Sequence, residues 1–563
     1  MRYRIRFMIF ILAAGVLSLT IGITSAQDAR KVLVTATTAG DPQSIDPQRA
    51  SDQGGVNLSN VLFPGLTRLD EEKIHEVVPG ITTGWDISDD GTVYTFHIIP
   101  NIPWVHYNAD TSAVEQVMDD SGKPRYVTAK DLVFSFTRAL DPATGATGAY
   151  MLSPVVVGGD AFNAGKGKAS DLKVRAVDDF TFEVTGPEKV AYALGIYGLI
   201  TSRATPEWAI EAGGDSWTEP ENINSYGPFA LKEWVHEDHM TFVKNPFWPG
   251  SQGYSQAKLD ELVIRFLDDG SQLREYEAGN LDVVPVVPSD QYDRVSTNAT
   301  LSKELTVFAG MCSTDWNFNT QKPPFDNVHI RRAFSYAVDR QSLADNVLKG
   351  GRIPARWYTP PSIAFAPTLE DNPTLGIAFD AAKAKEELAL GLKDLGVGAV
   401  DQLPSITVDF GDSPTNNSIG QALQVMWKDT LGVSVSLNPM DRTTYWTLMG
   451  QDSGQIHAGG WCPDYNDANN YTHDVLYSTS SNNFGHWNNP EFDALIDKAR
   501  VSSDPDERRK LYVQAEELEI VDQAATMPLV WESIPTLSKL YVTRTFAPSR
   551  VEAYWAWDIN RSS

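Results

Sequence analysis

The run "SITVDFGDSPTNNSIGQALQVMWKDTLGVSVSL", Ser405 to Leu437, decides the fold class. "SITVDF" (Ser405–Phe410) reads as a strand, "SIGQALQVMWKDTLG" as a helix and "VSVSL" (Val433–Leu437) as a second strand, a strand-helix-strand unit. A further helix from about Thr443 leads into "QIHAGGWC". The alternation holds upstream too. "VYTFHI" (Val93–Ile98) puts Tyr94, Phe96 and Ile98 on one face of a strand. "VTAKDLVFSFTRAL" reads as a helix capped by Thr128 with Asp131 three residues on. "KVRAVDDFTFEVT" predicts a hairpin turning at Asp178-Asp179. Asp504 with Pro505 starts a helix whose Leu511, Ala515 and Leu518 form an apolar stripe, ahead of the strand "MPLVW". The class is α/β, with several domains.

The N-terminus reads as an export signal. Arg2, Arg4 and Arg6 precede the apolar run Phe7–Leu19, and Thr24-Ser25-Ala26 fits small-x-small cleavage, so residues 1–26 are expected to be removed. No Cys near that site offers a lipid attachment point, and no later stretch is long and apolar enough to span a membrane. Loss of three Arg takes the formal charge from −27 to −30. That balance argues against nucleic acid and anionic lipid as partners.

Between the predicted strand and its loop stands "GGWCPDYNDANNY", Gly459–Tyr471, with neither strand nor helix periodicity. In open α/β sheets, ligands collect at such strand ends. The chain has two cysteines, Cys312 and Cys462. In an exported protein one disulfide is expected of them, the other reading being two buried free thiols. Enzyme signatures are missing: there is no Gly-x-Ser-x-Gly elbow, phosphate loop or dinucleotide fingerprint. "HEDH" (His236–His239) lacks zinc-protease spacing and reads as a hairpin tip. Asp464, Asn466 and Asp467 lack the turn Gly and distal Glu of a calcium loop. The plainer reading of Asp464 is a solvated turn residue. Its neighbours Trp461 and Tyr465 point instead to a carboxylate in a dry setting, which is costly unless a cation meets it.

At this motif the sequence resembles the peptide-binding proteins of bacterial ABC importers, the periplasmic oligopeptide-binding family. Gly460, Trp461, Cys462, Asp464, Tyr465 and Asn466 match its Gly-Trp-Cys-x-Asp-Tyr-Asn segment, whose aspartate binds the peptide ammonium. Further matches are "SIDP", "LFPGL", "YGPFALKEWV", "AGNLDVV", "FNTQKPPFDNVHIRRAFSYAVDR" and "YTPPS". The resemblance implies a two-lobed periplasmic-binding-protein fold of Venus-flytrap type with an extra inserted domain. Lobe 1 would comprise 27–62, 204–311 and 535–563, the inserted domain 63–203, and lobe 2 312–534, with the bridge within lobe 2.

It implies no enzyme, cofactor or metal, but a monomer delivering oligopeptides to a membrane permease. Asp464 would take the ammonium, with Trp461, Tyr465, Asn466 and the backbone of Gly460 and Cys462 around it. Where relatives carry basic groups for the peptide's carboxylate end, this chain has Leu348, Asn416 and Ala458. His457 or Lys349 could substitute, and Arg442, standing where relatives have a cleft aromatic, could meet a carboxylate. Another solute in the same fold (dipeptide, oligosaccharide, metal chelate) is the alternative, and a secreted hydrolase the rival from another class.

Overall fold

Alternating strands and helices build the chain throughout, in a computed structural model that describes residues 30–37, 40–70 and 76–561. The expected export signal, 1–26, lies outside the described residues. The unit that begins at Lys31 carries three larger sheets. In the first, Val32–Thr37 pairs in parallel with Glu261–Phe266, followed antiparallel by His239–Lys244 and Phe229–Val235. The second is antiparallel, in the order Thr82–Ile87, Val93–Ile98, Thr181–Thr185, Val174–Asp178. It contains the hairpin expected at Asp178-Asp179. Tyr94, Phe96 and Ile98 are buried together, as period-two alternation requires.

The third sheet is mixed and carries the stretch that decided the class. Ile406–Gly411 pairs in parallel with Val435–Met440 on one side and with Ile456–Ala458 on the other. The connecting helix is Pro414–Leu431, four residues longer at its start than the sequence reading. Ser413 accepts from the Asn416 N–H, and Pro414 takes the first helical position, where its missing N–H costs nothing. Gly432, left-handed at φ 73°, ends the helix. The next helix, Arg442–Asp452, is capped by Asp441, which accepts from Thr443 and Thr444.

Two long strands, Leu305–Phe318 and Pro528–Ser538, pair antiparallel through this sheet. They pass from one core to another. Leu537 packs with Val284 and Leu281, whereas Trp316, Phe318 and Trp531 lie in a core drawn from residues 311–531. The largest core gathers residues 33–266 with Ala553–Ile559 from the C-terminal end. From the intervening sequence it takes Val283 and, from the motif loop, Tyr465. Tyr465 stacks on Tyr192 at 5.0 Å and 18°. The motif loop therefore reaches from the second core to the first.

The helix Pro505–Glu516, capped by Asp504, continues through a wider turn over Glu517–Asp522. Its buried face differs from the expected stripe. Leu511 and Leu518 are half-buried, while Arg508, Tyr512, Glu516 and Glu519 are buried beside Ala515. Arg508 and Glu516 find tertiary partners there, and Thr526 donates to one Glu519 oxygen, none of which a periodicity count registers.

Candidate functional site

The motif loop is fastened at almost every residue. Strand Leu305–Phe318 grips its start: Ser313 N–H donates to the Trp461 carbonyl at 2.9 Å, and Gly459 N–H to that of Asp315 at 2.7 Å. A Cβ at 459 would stand 2.6 Å from the Asp315 Oδ2 and 2.9 Å from the Asn317 Nδ2, so a larger residue there would displace that bonded pair. Cys312 and Cys462 are joined in a disulfide, closing a separation of 150 residues.

Asn470, which sequence reasoning did not single out, ties the loop to itself. Its Oδ1 accepts from Trp461 Nε1 at 2.8 Å and from the Asp464 N–H at 3.0 Å. Its Nδ2 donates to Asp474, which also receives the Tyr465 hydroxyl at 2.7 Å. Asn466 Oδ1 accepts from Ala364 N–H at 2.9 Å. Asp467, weighed above as a cation ligand, is instead bonded through both oxygens to Arg508 Nη2, at 2.8 and 2.9 Å. Among the described residues no group of carboxylates, His or Cys could hold a metal ion. His236 of the hairpin tip is paired with Asp41 and Glu219.

So fixed, Asp464 stands half-buried in the wall of a cavity of about 590 Å3. That is the size range of small-molecule sites. One wall comes from the second core's chain, with Met311, Cys312 and Cys462–Asn466. The other comes from helix Gln53–Leu62 and the segments around Tyr150 and Ile200. Burial pushes the Asp464 carboxyl above the usual carboxylate range, while hydrogen bonds from Tyr150 and Asn470 pull it back. Tyr150 comes from the opposite wall and is 54% exposed; desolvation of its hydroxyl at the cavity and the neighbouring Asp464 raise the hydroxyl pKa. No described Lys, Arg or His forms an ion pair with Asp464. A carboxylate held this way has two neutral donors and room for a cation that the protein does not supply.

The remaining expected residues are placed elsewhere. Trp461 lies half-buried between this loop and a second cavity of about 280 Å3. His457, on strand Ile456–Ala458, faces that second cavity and is 1% exposed. Burial pushes its pKa down to about 3, so its ring is neutral and carries no charge for a carboxylate. Arg442 opens its helix on the exposed surface and lines neither cavity. Lys349 is paired at 3.0 Å with Asp293. Asn416 is committed to the Gly411 carbonyl at 2.8 Å. The structure thus gathers Asp464, Tyr465, Asn466 and Cys462 around one cavity and leaves the three expected cations outside it.

Residues 76–483 match the family model of bacterial extracellular solute-binding proteins, family 5. A probable deoxycholate-binding periplasmic protein, YgiS of Escherichia coli, is 32% identical, over 89% of this chain and 88% of that protein. The periplasmic oligopeptide-binding protein OppA of Salmonella typhimurium is 30% identical, over 94% of each. Among solved structures, the periplasmic murein tripeptide-binding protein MppA in its unliganded open form superposes with a TM-score of 0.79 at 25% identity. It covers 94% of this chain and 97% of that one. OppA of Haemophilus influenzae in complex with the peptide RPPGFSPFR gives 0.68 at 26% identity, covering 94% and 99%. Those structures share the two-lobed fold with mixed α/β content. The chain belongs to the bacterial extracellular solute-binding proteins, family 5.

Proposed function

We propose that this protein captures oligopeptides between its lobes and delivers them to the membrane permease of an ABC importer. The observation that carries the reading is Asp464: a half-buried carboxylate without a protein cation, braced by Asn470 and a disulfide, in a cavity wall. A ligand α-ammonium completes it with a charge-assisted hydrogen bond. The oligopeptide binders among the relatives support the peptide as cargo. In this reading the lobes divide as the resemblance implies, at 27–62, 204–311 and 535–563 against 312–534, with 63–203 inserted. The protein is a monomer exported by cleavage after Ala26. No helix of the described residues is long and apolar enough to cross a membrane.

Asp464→Asn removes the charge and keeps the shape. Peptide affinity measured by calorimetry is expected to fall at least tenfold, since bonds to charged groups contribute about 1.5–3 kcal/mol. N-terminal acetylation of the peptide should cost the native protein as much and the variant little. Unchanged affinity in Asp464→Asn sinks the assignment.

A second reading comes from the relative described as a probable deoxycholate binder. Met151, Leu199, Ile200, Met311 and Val551 give the cavity apolar walls that an apolar acid could fill. Such a solute would bind Asp464→Asn as well as the native protein. Mass spectrometry of small molecules released on denaturation separates the two, since peptides of mixed sequence and a single compound give unlike spectra.

A further inference from the structure

Three arginines line the main cavity: Arg68, Arg203 and Arg550. Arg68 donates to the Gly253 carbonyl and lies over the rings of Tyr254 and Trp555. Arg550 is ion-paired with Glu532, which shares that wall. Arg203 is different. It is 5% exposed, and its single side-chain hydrogen bond runs from Nη2 to Asn60 Oδ1 at 2.7 Å. Its Nε and Nη1 are buried with no partner, as is Nδ2 of Asn60, and Asn60 lines the same cavity. No carboxylate among the described residues pairs with Arg203.

A buried guanidinium without an anion is among the costlier arrangements in a fold. It stays where it is because the backbone around it is held tightly. The Arg203 carbonyl accepts from Gln48 Nε2 at 3.0 Å. The Gln48 Oε1 receives Arg138 Nη1 at 2.6 Å, and Arg138 is bonded through both terminal nitrogens to the buried Asp46 at 2.9 and 2.5 Å. What remains is a set of donors with no acceptor: one N–H on Nε and the amino groups of Nη1 and Asn60 Nδ2. A carboxylate, with two oxygens and about four lone-pair sites, is its complement.

We infer that Arg203 and Asn60 seat the carboxylate of the peptide whose ammonium meets Asp464. The inference rests on the peptide reading above and deepens it. It assigns the carboxylate end to the first core's chain, whereas Arg442, His457 and Lys349 all belong to the second. A free peptide then bridges the lobes with one charge on each, and only a ligand carrying both charges engages both walls. Closure on the ligand gains its differential affinity from that bridging.

The test is calorimetry on the full protein with alanine peptides of two to five residues, each as the free acid and as the C-terminal amide. The native protein is expected to bind at least one free acid tenfold or more tighter than its amide. Arg203→Met keeps the aliphatic stem; it should bring the acid down to the affinity of the amide and leave the amide within twofold. Arg203→Lys, which keeps the charge without the fork, should fall between. Asp464→Asn, by contrast, should weaken acid and amide alike. Equal loss of acid and amide in Arg203→Met assigns the residue a packing role and overturns the inference. So does unchanged affinity for both, or an acid-to-amide ratio near one in the native protein, which needs no variant to fold. If neither form binds at any length, the peptide reading itself fails; if both bind and Arg203 makes no distinction, only the present inference does.

Discussion

Arg508→Met is expected to destabilise the second core by about 3–5 kcal/mol, the usual cost of removing one partner from a buried ion pair. Arg508 and Asp467 each keep only 4% of side-chain exposure. Besides both oxygens of Asp467, the guanidinium reaches the Ala499 carbonyl at 3.0 Å and the Tyr512 hydroxyl at 3.2 Å, and it lies 4.1 Å from the Phe365 ring centre. In the variant, the Asp467 charge is stranded in a dry setting with the Tyr512 and Asn469 bonds as its remaining support. Asp467 stands three residues from Asp464, so strain there should also disturb the peptide anchor. Denaturant unfolding measures the first effect and peptide calorimetry the second.

The double variant Arg508→Met/Asp467→Leu distinguishes charge from packing. Replacing a buried pair with apolar groups of similar volume is often neutral, so the double should regain most of the lost stability. A single variant within about 1 kcal/mol of the native protein would show that the pair is wetter than its burial implies.

Local chemistry explains which parts of this fold could be read from the chain. The unit Ser405–Leu437, the hairpin at Asp178-Asp179 and the capped start at Asp504-Pro505 each rest on signals within a few residues: alternation, turn formers, a cap. The disulfide was the expected state of two cysteines in a chain read as exported, and the structure joins them. Helix Pro414–Leu431 starts four residues before the expected Ser418, because the cap Ser413 and the first-turn Pro414 add a turn that carries no apolar periodicity. The motif gave Asp464 and its neighbours because they are contiguous. Asn470 bonds to the same turn from six residues away, and nothing in "ANNY" marks it apart from other loop asparagines. Arg203 is less legible still. "TSRATP" has no periodicity, and what matters about its arginine is an anion missing from residues far away in sequence. Arg442 and His457 failed as carboxylate seats for a related reason. Alignment gives a position, but solvent exposure of one and complete burial of the other are set by tertiary packing.

Stability should decline as pH rises from about 4.5 toward 7, and Glu519→Gln should remove one proton's share of that slope, about 1.4 kcal/mol per pH unit. The cause lies on the helix face that sequence periodicity misread. Glu516 and Glu519 are 1% and 0% exposed. Glu516 accepts the N–H groups of Tyr358 and Thr359 at 2.9 Å each, yet burial outweighs them and lifts its carboxyl to about 7. Glu519 is raised further, first by burial and then by the neighbouring Glu516; Thr526 donates to one of its oxygens and the other has no partner. Burial also lifts Asp315, beside the second cavity, to about 6. Each group holds its proton more tightly folded than unfolded, so the native state binds more protons once the unfolded chain begins to ionise. The stabilisation is complete below the unfolded value near 4.5 and is lost as pH climbs through the folded one. Glutamine mimics the protonated acid and cannot ionise, so Glu519→Gln should match the native protein at pH 4.5 and gain on it steadily above. Melting curves across pH 4.5–8 decide the matter: parallel curves for the two proteins would mean that Glu519 is ionised in the fold and that a cation or water lies against its unpartnered oxygen.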